Sequence, residues 1–160
     1  MAMTMKIEGL NEVGQLLGRL GDKAQDVASG ALFAGAGVVA DAFSQAAGSI
    51  RTAEFKGKRA KRLPSPEEKA ALTGKSGIAH FDKNGSEVNT VVGISRSAGY
   101  VQLGKRKTAV MEIARSINSG TSFMDKQPIF RKASSGSQKA ASAAIVNKAN
   151  EMFNEIIGGQ

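Results

Sequence analysis

The sequence predicts an α+β fold, with helices at both ends of the chain and strands between them. Apolar residues recur every three to four positions over most of the first 47 residues and again across residues 137–157, which is typical of helices. In between, side chains alternate in character across residues 87–94, with Val88 and Val92 on one face. That alternation predicts a strand.

The N-terminal part predicts two consecutive helices. Residues 7–20 have apolar side chains at helical spacing, although each helical glycine costs up to about 1 kcal/mol relative to alanine. Asp22 is a suitable N-cap for a second, longer helix that runs to about Ala47. The buried stripe of this helix consists mainly of Ala and small residues such as Gly35, which let a neighbouring backbone approach closely. We therefore expect tight packing against a sheet or another helix.

The middle of the chain is predicted to be less regular. Residues 48–85 predict a long basic loop with one short helical turn at 67–72, and a loop of that length is commonly functional or disordered. A weaker strand is predicted at 98–103 and a helix at 108–118. Residues 120–132 are predicted to be irregular, before the C-terminal helix. The 160 residues suit a single domain, so we expect one domain over the whole chain.

Composition argues against an enzyme. The chain has no cysteine, which excludes disulfides, thiolate catalysis and cysteine-based zinc sites. It has a single histidine, His80, so one subunit cannot build a site from two or three histidines. We expect no catalytic residues, no metal and no cofactor.

Three short motifs imitate catalytic or nucleotide-binding patterns. Gly35–Ala40 matches the G-x-G-x-x-A pattern of dinucleotide-binding turns, but the residues before it predict a helix instead of the strand that the motif requires. Thr73–Ser76 resembles the end of a P-loop and lacks the glycine five positions before Gly74. His80 and Asp82 could suggest an acid–base pair, but the sequence marks no nucleophile that they would activate. None of the three predicts an active site.

The positive charge is concentrated after residue 50. The chain has 22 Lys and Arg against 14 Asp and Glu, a net charge of +8, and residues 1–50 are slightly acidic. Such runs are often solvated loops, but they also bind acidic proteins or nucleic acid. A mobile solvated loop is the simplest interpretation, an acidic protein partner comes next, and DNA is less favoured. The candidate contact residues in the two basic runs are Arg51, Lys56, Lys58, Arg59, Lys61, Arg62, Lys105 and Arg106.

Neither a signal peptide nor a membrane span is expected. Residues 1–10 lack the apolar stretch of a signal peptide. The most apolar run, Ala31–Ala40, is ten residues long, whereas a bilayer needs about 20. We expect the protein to be made in the cytoplasm and to have no contact with a membrane.

Several segments, taken in order, resemble the neck and tail-completion proteins of long-tailed bacteriophages. Ile7–Leu10, Ala31–Ala40, Leu72–Ile78 and Val88–Ile94 are each similar to short motifs of that family. The most telling stretch is Gly120–Ala133, which is close to the family pattern "GTskm.a.PFlrPA". A closing helix completes the resemblance, which covers nearly the whole chain.

The resemblance implies a virion protein with a long helix packed on a small, mainly antiparallel sheet. It implies assembly into a homo-oligomeric ring, for which a hexamer is one expected size, at the junction of head and tail. Connector, terminator or tail-tube proteins would be the neighbours. Subunits of rings act through their surfaces, so we expect contacts from the stretch 120–131. Its candidate interface residues are the apolar Phe123, Met124, Ile129 and Phe130 and the cation Arg131. For Ile129 and Phe130, ordinary core packing is an open alternative.

These inferences predict a structural protein that completes the tail or joins it to the head, located in the virion neck and in the host cytoplasm during assembly. A tail-terminator ring subunit is the nearest alternative. A basic DNA-binding accessory protein is an alternative of a different class.

Overall fold

The computed structural model describes residues 10–53, 61–84, 87–94 and 98–158. Four helices and two β-hairpins make up this part of the chain, which confirms the α+β class. In chain order the elements are α1 (Leu10–Gly48), α2 (Pro66–Thr73), β1 (Ser76–Asn84), β2 (Glu87–Ile94), β3 (Tyr100–Leu103), β4 (Arg106–Ala109), α3 (Val110–Ser119) and α4 (Ile129–Gly158).

The N-terminal segment forms one helix, so the prediction of two helices was wrong. α1 has 39 residues and passes through Asp22 without a break, so this residue lies inside the helix and does not cap it. At 1.5 Å per residue the helix is about 58 Å long. Gly18 and Gly21 weaken a helix without forcing it to end, and the chain has no proline in this region.

The two long helices α1 and α4 pack side by side in opposite directions. Gly30 of α1 lies against Met152, Gly35 lies against Ile145, and Phe43 stacks on Phe130. A Cβ atom at Gly35 would be 2.4 Å from Ile145 Cγ1 and 3.3 Å from the carbonyl oxygen of Ala141. Since a side chain at Gly35 would collide with α4, the predicted tight packing of the small-residue face is confirmed there.

α4 begins at Ile129, eight residues before the predicted start. Pro128 directly precedes the helix, a position where its missing N–H costs nothing. The side chain of Asn118, at the end of α3, accepts a hydrogen bond of 3.2 Å from the backbone N–H of Phe130. Ile129 and Ala133 are each only 3% exposed, so packing stabilises this first part of the helix.

The strands form two separate antiparallel hairpins. In the first, β1 pairs with β2 from Ser76 with Ile94 to Asn84 with Glu87, and it lies along α1, where Phe81 packs edge-on to Phe33 at 5.7 Å. The position of β2 was predicted correctly. The predicted loop over residues 48–85 was wrong where β1 lies within it, whereas the helical turn predicted at 67–72 is confirmed as α2. Both α4 and the first hairpin pack mainly on α1. The helix α1 is therefore the main link between the first hairpin and the rest of the fold.

The main core lies at the C-terminal end of α1, where most of the shorter elements meet. α3 presents four buried residues at helical spacing, as predicted from its sequence, although the helix begins two residues later. Leu72 of α2 and Met124 of the segment before α4 fill the space beside them. The core residues are Phe43, Ala47, Ile50, Leu72, Ile94, Val110, Ile113, Ala114, Ile117, Met124, Ile129 and Ala133.

The part of α1 from Lys23 to Gly48 has the length and mean hydropathy, 1.5, of a helix that could cross a membrane. The prediction based on the ten-residue run Ala31–Ala40 alone missed this longer apolar segment, because small residues continue the apolar composition on both sides of the run. Core helices of soluble proteins meet the same criterion, and here α4 and the β1–β2 hairpin pack against the helix. The absence of membrane contact stays a prediction.

Candidate functional site

The first basic run, residues 51–62, is held at both ends by residues 123–127, which precede α4. At its N-terminal end, the side-chain amide of Gln127 pairs with the backbone of Arg51. The Arg51 N–H donates to Gln127 Oε1 at 2.9 Å, and Gln127 Nε2 donates to the Arg51 carbonyl at 3.0 Å. Gln127 is 9% exposed, and its own N–H donates to the carbonyl of Ile117 at 2.7 Å. The amide therefore ties residue 51 to the end of α3.

The C-terminal end of the same run is tied to the neighbouring residues of that stretch. The Arg62 N–H donates to the Phe123 carbonyl at 2.7 Å, and the Asp125 N–H donates to the Arg62 carbonyl at 2.9 Å. These two bonds make a short parallel bridge between Arg62 and Met124. In addition, the Ala53 N–H donates to the Pro64 carbonyl at 3.2 Å, which closes the two ends of the run on each other.

The Arg62 side chain is an internal partner of α2. Its guanidinium donates two hydrogen bonds of 2.6 Å to the two carboxylate oxygens of Glu68. Glu68 also belongs to a capping box: it accepts from the Ser65 N–H at 2.8 Å, and its own N–H donates to the Ser65 hydroxyl at 3.2 Å. Arg62 thus joins the basic run to the start of α2.

The charges of this pair are stabilised by each other. Burial raises the pKa of the Glu68 carboxyl, but the Arg62 hydrogen bonds, the Ser65 N–H and the Arg62 charge together hold that pKa below its ordinary value. The hydrogen bond to Glu68 raises the pKa of Arg62 above its already high value. With its charge compensated, Arg62 is a poor candidate for binding an outside acid.

The other predicted basic residues are placed differently. Arg51 and Lys61 are exposed at the two ends of the first run, and Lys105 and Arg106 are exposed on the β3–β4 hairpin. Lys56, Lys58 and Arg59 lie outside the described residues. Of the predicted basic contact residues that the structure describes, four are therefore available to a partner.

The apolar candidates divide into buried and exposed side chains. Met124 and Ile129 are 2% and 3% exposed and belong to the core. The Phe130 ring is half-buried and stacks on Phe43, with ring centroids 4.8 Å apart. Phe123 is 58% exposed, and Arg131 is exposed at the start of α4. In the folded subunit, Phe123 is the one apolar candidate that faces solvent; Met124, predicted as an anchor, instead fixes the backbone beside it.

Phe123 is one of the residues that line a groove between α2, α3 and the β3–β4 hairpin. The groove has a volume of about 640 Å³, and Leu103, Ile113 and Met124 contribute to its apolar lining. Charged side chains of both signs line it too, among them Glu67, Arg106 and Glu112. A groove lined by both apolar and charged side chains suits a segment of another protein.

Sequence reasoning missed Glu68 and Gln127. The pattern of serine at position 65 and glutamate three residues later is a signal for a capping box, so the start of α2 was readable from the sequence. Nothing local indicates that Gln127 binds Arg51, because 76 residues separate them.

In the structure, the three motifs that imitate catalytic patterns do not lie in the structural setting that those patterns require. Gly35 and Gly37 lie deep inside α1, as predicted. Thr73–Ser76 connects the end of α2 to the start of β1, whereas a P-loop connects a strand to a helix. His80 and Asp82 lie on β1. Within the described ranges, no group of three or more His, Cys, Asp or Glu side chains could hold a metal ion.

Comparison of the chain with known protein families, with curated proteins and with solved structures finds no match.

Proposed function

We propose that this chain is a structural protein of a tailed-phage virion, which completes the tail or joins it to the head by assembling into a ring. The proposal begins from the ordered series of sequence motifs that resemble the neck and tail-completion proteins. The stretch most similar to that family, Gly120–Ala133, is also the stretch to which the basic run is tied. One segment thus combines the family pattern with the anchoring of both ends of a basic run.

The observation that carries the proposal is the contrast between Phe123 and Met124. Phe123 is 58% exposed, while the side chain of Met124 is buried, and the backbone of Phe123 and Asp125 on either side of Met124 bonds to Arg62. A large apolar side chain held rigidly at the surface loses little conformational entropy when it binds, which favours its use as an interface anchor. The neighbouring groove and the exposed Arg131 add polar contacts around it.

Self-association in a ring uses two different surfaces of each subunit, so that every copy offers an anchor and a receiving site. In this proposal Phe123 and the groove beside it contact the next copy or a neighbouring connector, terminator or tail-tube protein. The protein works in the virion neck after assembly in the host cytoplasm. A tail-terminator ring would use the same chemistry at a different level of the tail.

The test is native mass measurement and negative-stain microscopy of the purified protein, alone and mixed with tail tubes. We expect closed rings in at least one of the two conditions. Phe123→Ala should abolish the rings without lowering the melting temperature, because its side chain is not part of the core. Ile157→Ala is the matched control, since Ile157 is 51% exposed on α4. A monomer in both conditions, or equal loss of rings in the two variants, contradicts the proposal.

A further inference from the structure

The β3–β4 hairpin carries an unusual outward face. The strands pair Gln102 with Lys107 and Leu103 with Arg106. Leu103 and Val101 turn towards the core, so the opposite face, with Tyr100, Gln102 and Lys107, is directed to solvent. Tyr100 is 66% exposed, the most exposed of the large apolar side chains that the structure describes.

The tip of this hairpin is strongly basic. Four consecutive residues from Gly104 to Lys107 are exposed, and three of them are cations. In the part of the chain that the structure describes, none of the three forms an ion pair, although Arg106 shares the groove with Glu67 and Glu112. Lys107 Nζ lies over the Tyr100 ring, 5.3 Å from its centroid. The positive Gly104 φ of 61° allows the tight turn that joins β3 to β4.

We propose that this hairpin binds double-stranded DNA, with its tip in the major groove and its cations on the phosphates. Lys, Arg, Tyr and Gln are the side chains that commonly contact phosphate and sugar. The major groove of B-form DNA admits a two-stranded β-ribbon, while the major groove of duplex RNA is too narrow for protein side chains. A single tyrosine is too few for the series of stacked bases on which single-strand binding depends.

An acidic protein is the less suitable partner for this face. Specific protein interfaces have an apolar centre that excludes water, and here the outward side chains are polar or charged apart from the tyrosine ring. A regular row of phosphates needs no such centre, because release of counterions supplies most of the affinity. The contacts are with the backbone, so binding is independent of base sequence. The inference stands on this hairpin alone and does not depend on the phage assignment.

The test is fluorescence anisotropy of the full chain with a duplex DNA of about 20 base pairs over a series of salt concentrations. The variant Lys105→Gln/Arg106→Gln/Lys107→Gln removes three charges at the tip. Its affinity at about 0.1 M salt should fall on the order of 10²-fold, and the slope of log K against log salt should flatten by about two to three. Lys23→Gln/Lys75→Gln/Lys139→Gln is the matched control, because it removes three exposed cations elsewhere. We expect a far smaller change for it.

Two further arms identify the ligand. Tyr100→Ala should weaken DNA binding several-fold with an unchanged salt slope, since it removes an uncharged contact. Duplex RNA and polyglutamate of equal charge should bind more weakly than duplex DNA. The proposal is overturned if the full chain does not bind duplex DNA, if both triple variants lose affinity equally, or if polyglutamate or duplex RNA binds as tightly as DNA.

Discussion

The guanidinium of Arg62 and the carboxylate of Glu68 form a bidentate pair, with two N–O distances of 2.6 Å. Only 5% of the Glu68 side chain is exposed, so the pair is largely shielded from water on the glutamate side. It joins the end of the basic run to α2, while the backbone of Arg62 bonds to residues 123 and 125. The position of the exposed Phe123 therefore depends on an arginine whose charge is satisfied internally.

Removing the charge of Glu68 should destabilise the fold. Glu68→Gln leaves Arg62 without a counter-charge and weakens the capping box, so we expect a loss of about 1–3 kcal/mol in the free energy of unfolding. Glu67→Gln is the control, because it removes the same charge from an exposed neighbour in the same helical turn, and it should change stability by less than about 0.5 kcal/mol. Urea denaturation measures both. Equal effects of the two variants would show that the pair is unimportant.

The same pair should make stability depend on pH in the acidic range. The pKa of Glu68 is lowered in the folded state, so its stabilising contribution is complete above the ordinary glutamate value of about 4.3 and is lost as the pH falls through the lower, folded value. The stability difference between wild type and Glu68→Gln should be constant from about pH 8 to pH 5 and shrink below about pH 4. Urea midpoints across this range measure it; a gap that shrinks already near neutral pH contradicts the assignment.

The amide of Gln127 should stabilise the N-terminal end of the basic run. Gln127→Ala leaves the Arg51 N–H and carbonyl without their partners, and we expect a loss of about 1–2 kcal/mol. Gln138→Ala is the control, because Gln138 is exposed on α4. Proteolysis of the native protein provides a second measurement, in which Gln127→Ala should speed cleavage near the basic run. A cleavage rate unchanged from wild type would mean that the amide does not hold this segment.

Two glycines of α1 should respond to alanine in opposite directions. A Cβ at Gly35 would lie 2.4 Å from Ile145 Cγ1, so Gly35→Ala should cost about 1–3 kcal/mol through separation of α1 and α4. Gly37 has nothing within 4 Å of a new Cβ, so Gly37→Ala should gain about 0.5–1 kcal/mol from helix propensity. Thermal melts followed by circular dichroism measure both. Adding Ile145→Ala should reduce the cost of Gly35→Ala, and stabilisation by both single variants would contradict the packing of the two helices.

Elements with a strong local pattern were predictable from the sequence, and elements decided by distant contacts were not. β2 and α3 have apolar residues at regular spacing, and both were found where expected. β1 has no clear alternation, and its conformation is fixed by its pairing with β2. The first turns of α4 contain several small polar residues, and they are helical because Ile129 and Ala133 pack in the core.

The candidate site was only partly predictable for the same reason. The sequence marks Arg62 as one cation in a basic run, with no sign that its charge is paired. Its partner Glu68 is recognisable as a capping residue, but nothing in the local pattern indicates that Arg62 pairs with it. The difference between Phe123 and Met124 also depends on the fold, because only the tertiary packing decides that Met124 enters the core while Phe123 stays exposed.

Immunogold electron microscopy of phage particles whose genome encodes this chain tests the central claim most directly. An antibody against the exposed outer face of α4 would mark where the protein lies in the intact particle. The proposed neck or tail-completion role predicts gold at the junction of head and tail in most particles and none along the tail shaft. Unlabelled particles, with the protein left in the soluble fraction of the lysate, or gold on the head shell would contradict it.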